Sequence, residues 1–68
     1  MRILVNKIIG IDEDGHELHY IEAAGDSTET KPSAESVGGV IVESSNVFET
    51  NTADMYFWNE KSTSWIKA

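Results

Sequence analysis

The stretch Val47-Phe48-Glu49-Thr50-Asn51-Thr52-Ala53-Asp54-Met55-Tyr56-Phe57-Trp58-Asn59-Glu60-Lys61-Ser62-Thr63-Ser64-Trp65-Ile66-Lys67-Ala68 holds five of the chain's six aromatic residues. Phe48, Thr50 and Thr52 alternate with Glu49 and Asn51, the period-2 pattern of a half-buried strand. Asn51 to Asp54 forms a turn, Met55 to Trp58 supplies the partner strand, Asn59 to Thr63 turns again, and Ser64 to Lys67 brings Trp65 back alongside. The pattern predicts an antiparallel β-meander. Successive strand side chains point to opposite sides, so Tyr56 and Trp58 share one face while Met55 and Phe57 share the other. Aromatic pairs across strands contribute about 0.5–1.5 kcal/mol beyond their buried area. Phe48, Tyr56, Trp58 and Trp65 are therefore the expected core, and Met55 and Phe57 the expected contact for a neighbour.

Upstream of this stretch, Gly38-Gly39 opens a β-branched strand at Val40-Ile41-Val42-Glu43, and Ser44-Ser45-Asn46 turns the chain. From Ala23 to Gly39 the composition shifts to Gly, Asp, Ser, Thr, Glu, Lys and the single proline, Pro32, with neither strand nor helix period. Roughly 15 residues without structure are unusual inside a compact domain, so this stretch reads as a linker or long loop. Ser33 could cap a short helix near Ser33 to Val37, but so few residues hold no helix on their own. The first segment, Arg2 to Ile11, is rich in Ile, Leu and Val, and His16 to Ile21 alternates Leu18 and Tyr20 with polar residues. Between them Asp12-Glu13-Asp14-Gly15 makes the turn of a β-hairpin. A flat strand would set Ile3, Val5, Ile9 and Ile11 on one face and Leu4 and Ile8 on the other. With both faces apolar, a second chain or sheet is expected on one of them, with Ile8 as a contact.

The expected class is all-β. An N-terminal hairpin (1–22) and an antiparallel meander (40–68) are joined by a polar loop (23–39), as one small domain or as two lobes.

Length bears on function. A chain of 68 residues buries only about 60% of its unfolded surface. A core of that size rarely supplies more than roughly 3–5 kcal/mol. The absence of cysteine removes disulfides and thiolate zinc sites as staples. Association with other chains is the remaining remedy. Twelve acidic residues against five basic ones leave a net charge of −7, spread along the chain. That balance argues against nucleic acid and anionic membranes as partners, since both need clustered Lys and Arg. Asn6 and Lys7 interrupt the first apolar segment, which therefore does not read as a signal peptide, and no run approaches the roughly 20 apolar residues of a membrane span. A cytoplasmic origin is expected.

No constellation amounts to a catalytic or metal site. Asp12-Glu13-Asp14-Gly15 has the oxygens and turn glycine of a calcium loop, but the twelfth position, which needs a bidentate Glu, is Ala23. It reads as an acidic hairpin turn. His16-Glu17-Leu18-His19 is one residue short of the zinc protease spacing, and its histidines read as surface residues on opposite sides of a strand. Ser44-Ser45 and Ser62-Thr63-Ser64 have no His-Asp pair beside them, and Gly38-Gly39 is too short to cradle a phosphate. The expectation is a protein that is not an enzyme and has no cofactor.

The run Phe48-x-Thr50-x-Thr52, then Tyr56-x-Trp58, then Trp65, resembles a pattern common in short structural proteins of tailed bacteriophages. The resemblance covers roughly the last third of the chain, and the Lys31-Pro32 and Gly38-Gly39 lead-in also looks similar. It implies a virion component, a capsid-decorating, head-fibre or tail-associated protein made in the host cytoplasm. Its implied partners are symmetry-related copies and other capsid or tail proteins. Members of that group often carry Gly in the two turns, whereas this chain has Ala53-Asp54 and Asn59-Glu60-Lys61. Turn geometry is where it departs from the pattern. Two other readings need only a small acidic β-module: one that binds a host or partner protein, and one whose exposed aromatics stack on sugars.

Overall fold

The computed structural model describes residues 1–68. The chain is all-β apart from one helical turn. Its strands are β1 (Arg2–Ile11), β2 (Glu17–Gly25), β3 (Val40–Ile41), β4 (Asn46–Glu49), β5 (Asp54–Asn59) and β6 (Ser64–Lys67), with α1 (Ala34–Val37) before β3. They form one sheet in the order β1-β2-β4-β5-β6, and β3 pairs with β2. The N-terminal hairpin and the meander are thus halves of a single sheet.

Gly15, at φ 83°, supplies the left-handed residue of the β1–β2 turn. Asp12 closes that turn by accepting the amides of Asp14 (2.9 Å) and His16 (2.8 Å). β4, β5 and β6 form the antiparallel meander. What joins the halves is parallel pairing: β3 and β4 both lie against β2, with Leu18 beside Val40 and Ala23 beside Val47. A parallel connection must cross a face of the sheet to return in the same direction. The polar stretch after β2 is that crossover, and it acts as a lid rather than a linker. Pro32 is buried, and its carbonyl accepts the Trp65 indole N–H at 2.8 Å. Val37 packs on the core. Ser33 caps α1 in a capping box with Ser36, and Gly38, at φ 79°, ends the helix.

The register sorts side chains onto two faces. One row crosses all five main strands as Ile3, Ala23, Val47, Tyr56 and Lys67; the neighbouring row, on the opposite face, runs Val5, Glu22, Asn46, Phe57 and Ile66. The crossover covers the first face. Beneath it Ile21, Ala23, Ile41, Val47 and Trp58 form the core, with Tyr56 and Trp65 partly buried against it. Trp58 and Trp65 meet edge to face, 5.0 Å apart.

Four further expectations change. Phe48 is exposed: Val47 takes the inward position, so Phe48 falls on the other face beside Met55. The expected alternation through Thr50 and Thr52 ends at Glu49, where the chain turns. In β1, register shifts between Ile3 and Val5 and between Ile8 and Gly10 break the simple alternation, so Ile3 and Val5 lie on opposite faces. Finally, His19 is buried rather than a surface residue, because Gly39 and β3 pack over it and Asn6 Oδ1 meets its Nδ1 at 2.7 Å.

Three turns are strained. Ser44 (φ 74°), Ala53 (φ 60°) and Thr63 (φ 48°) occupy the left-handed region without being glycine. That conformation costs an L-residue about 1–2 kcal/mol, and a β-branched Thr is especially unsuited to it. Ala53 stands in the β4–β5 turn and Thr63 in the β5–β6 turn. Ala53→Gly and Thr63→Gly are each expected to stabilise by about 1 kcal/mol after the unfolded-chain entropy of glycine is subtracted. Thermal melts of both variants check this, with a rise of about 4–8 °C for each kcal/mol.

Candidate functional site

The face opposite the crossover has no cover. Read from the register, it carries Val5 and Lys7 of β1, Leu18, Tyr20, Glu22 and Ala24 of β2, Asn46 and Phe48 of β4, Met55 and Phe57 of β5, and Ile66 of β6. Phe48, Phe57 and Ile66 are 37%, 43% and 50% exposed, and they cluster with Met55 over the meander. Tyr20, Glu22 and Asn46 make a polar island beside them. Tyr20 Oη donates to Glu22 Oε2 at 2.7 Å and accepts from Asn46 Nδ2 at 3.3 Å. The bond to Glu22 holds the phenol proton, pushing the Tyr20 pKa above its ordinary value. Apart from that acid, the charged residues in these rows are Arg2, beside Ala24, and Lys7. A protein of net charge −7 thus keeps its excess acid off this face.

The second exposed element is β1. Every residue of it except Gly10 is exposed, and Ile3, Leu4, Val5, Ile8, Ile9 and Ile11 are all among the exposed large aliphatics. β1 ends the sheet, so its outer backbone edge has no partner strand. Long apolar edges of this kind invite pairing with another chain. Nine large apolar side chains are exposed in all, against five in the core.

No family model, curated protein or solved structure matches this chain. Its chemistry must therefore be read from the sheet itself.

Of the expected contacts, Met55 and Phe57 lie together on the open face, Phe57 exposed and Met55 half-buried. Ile8 does not join them. It pairs with His19, which places it on the crossover's side of the sheet, where it is 51% exposed beyond the lid. Of the expected core aromatics, Tyr56, Trp58 and Trp65 lie on the covered face, whereas Phe48 belongs to the open one. The Asp12, Asp14 and His16 ligand atoms lie within 4.8 Å of one another in the hairpin turn, where Asp12 Oδ1 accepts the amides of Asp14 and His16. Those amide bonds, the His16 one first, hold its carboxyl below the usual carboxylate range.

Sequence reasoning missed the ion pair beneath the lid. Glu49 is 3% exposed and follows Val47 on the covered face; its Oε2 accepts from Lys31 Nζ at 2.7 Å and its Oε1 from Thr52 Oγ1 at 3.0 Å. Lys31 Nζ also sits 4.2 Å from the centre of the Tyr56 ring. This contact pins the crossover to the meander. The bond from Lys31 holds the Glu49 carboxyl below its ordinary value, against burial, which pushes it up. The unfolded chain therefore takes up the proton more readily than the folded one, so this stabilisation is complete above the ordinary carboxylate range and is lost as pH falls through the lowered folded value. Melting temperatures measured from about pH 6 to about pH 2 should fall less steeply for Glu49→Gln than for the wild type. Parallel curves would contradict the assignment.

Proposed function

We propose that this protein is a non-enzymatic structural protein that works by packing its open sheet face against copies of itself and against neighbouring proteins. One observation carries this reading: more large apolar side chains are exposed than buried, and four of them line one uncovered face as Val5, Phe48, Phe57 and Ile66. A stable interface takes about 800 Å² from each partner, a little under a fifth of the 4339 Å² surface. One face of this sheet can provide that. A second copy fits the charge pattern, because two bases and one hydrogen-bonded acid are the charged groups in its rows. Two such faces can meet without the repulsion that the acidic remainder would impose. Closed symmetric assembly would also offset the small core.

The bacteriophage particle is the setting we propose, as a capsid-decorating, head-fibre or tail-associated protein. Support for it comes from the resemblance of the C-terminal pattern, whose Phe48 lies on the open face and whose Tyr56, Trp58 and Trp65 anchor the covered one. The role would be mechanical: added interface that reinforces or decorates a shell. Mass spectrometry of purified particles, before and after washing, is the test. Retention in stoichiometric amounts is expected, and removal by washing would exclude a structural role.

The exposed edge of β1 favours a second reading, in which an extended segment of a host or partner protein adds as a strand. Sugar stacking finds no such support. Trp58 is 8% exposed, and the Trp65 indole N–H is bonded to Pro32.

A further inference from the structure

Beside β3 the sheet has a gap. β3 is bonded to β2 on one side only, whereas β5 pairs with β4 and β6. The space between α1, β3 and the β5–β6 turn is a cavity of about 350 Å³. Ligand sites span about 300–1,000 Å³. Val40, Ile41 and Trp58 give this one apolar walls, while Glu35 and Glu60 line it from opposite sides, one on α1 and the other just beyond β5. Neither glutamate belongs to an ion pair of the fold. Glu43 adds a third carboxylate nearby, where its Oε1 accepts the Glu60 amide at 3.2 Å.

From this arrangement we infer that the cavity binds a cation carried on a short apolar stem, a guanidinium or alkylammonium group. The stem lies against Val40 and the part of Trp58 that lines the cavity, and the charge meets the two carboxylates. The chain already holds one cation against a carboxylate and an apolar wall, since Lys31 bonds Glu49 beside Tyr56. That internal site has one carboxylate and one ring. The cavity sets two carboxylates beside apolar walls, with the place for the cation open to solvent. It lies on the crossover's side of the sheet, so it is independent of association through the open face.

The test uses butylguanidinium, its neutral analogue butylurea, and a capped Gly-Arg-Gly peptide, each titrated into the ¹⁵N-labelled protein. Butylguanidinium is expected to bind at least about ten-fold tighter than butylurea, with shifts centred on the Trp58 indole and the Ile41 and Glu60 amides. Glu35→Gln combined with Glu60→Gln should abolish that preference. Both residues are exposed, so the rest of the spectrum should stay unchanged. If the peptide binds as tightly as butylguanidinium, the natural ligand is an arginine side chain of a partner; if it binds more weakly, the ligand is a free small cation. Either result supports the site. Equal binding of the urea, shifts scattered over the acidic surface, or no saturable shift would overturn it.

Discussion

Phe57→Glu is expected to abolish the proposed association through the open face while leaving the fold intact. Phe57 is 43% exposed on the open face, beside Ile66 and across from Asn46. Its ring contributes little to the core, which lies on the opposite side of β5 around Val47 and Trp58. Buried aromatics at the centre of an interface typically contribute 2 kcal/mol or more, so truncation alone weakens association by about thirty-fold. Glutamate adds an unpaired charge that would have to be desolvated, so the loss should exceed that figure. Circular dichroism and the melt of dilute protein should change little. Unfolding of the variant would show instead that Phe57 packs within the chain. Ile8→Glu serves as a contrast. Ile8 faces the crossover's side, so this variant should leave open-face association unchanged and weaken only strand addition at β1.

The second large effect is expected at Gly39. A Cβ there would stand 2.5 Å from the backbone oxygen of Glu17 and 2.8 Å from His19 Cδ2, and a backbone oxygen cannot move aside as a side chain can. Gly39→Ala must push β3 away from β2, and overpacking of this kind costs about 1–3 kcal/mol. In a domain with roughly 3–5 kcal/mol available, that is a large share of the stability. The adjacent Gly38→Ala separates two causes. Gly38 has φ 79° but nothing within 4 Å of its would-be Cβ, so only the left-handed backbone is strained, at about 1 kcal/mol. Thermal melts of the pair should therefore rank wild type above Gly38→Ala, and Gly38→Ala above Gly39→Ala. Faster amide exchange at Ile41 and Val42 should accompany the larger loss. A Gly39→Ala protein as stable as the wild type would contradict the close packing of β3 on β2.

These two positions also mark how much of the molecule its residues announce. The hairpin and the meander are legible because each is local: Asp12 to Gly15 states a turn, and Tyr56, Phe57 and Trp58 alternate between faces. The split of Tyr56 and Trp58 from Met55 and Phe57 follows from period 2 alone. Pairing of β2 with β4 is not legible in that way, because it joins residues more than twenty positions apart and depends on a crossover without periodicity. For the same reason Glu49 looks like an exposed strand residue until Lys31, 18 positions away, is placed against it. Two irregularities in β1 defeat strict alternation, which is why Ile3 and Ile11 fall on the opposite face from Val5. Phe48 misleads because size suggests burial, whereas register gives that place to the smaller Val47.

The open face then joins the local and the long-range parts. Its row of Val5, Glu22, Asn46, Phe57 and Ile66 exists only because the hairpin and the meander share one sheet. Sedimentation equilibrium of the wild-type protein over a wide concentration range measures the consequence directly. The expected mass rises with concentration to a defined multiple of one chain and collapses to a single chain in Phe57→Glu. A wild-type protein that stays a single chain throughout, with a cooperative melt of its own, would contradict it.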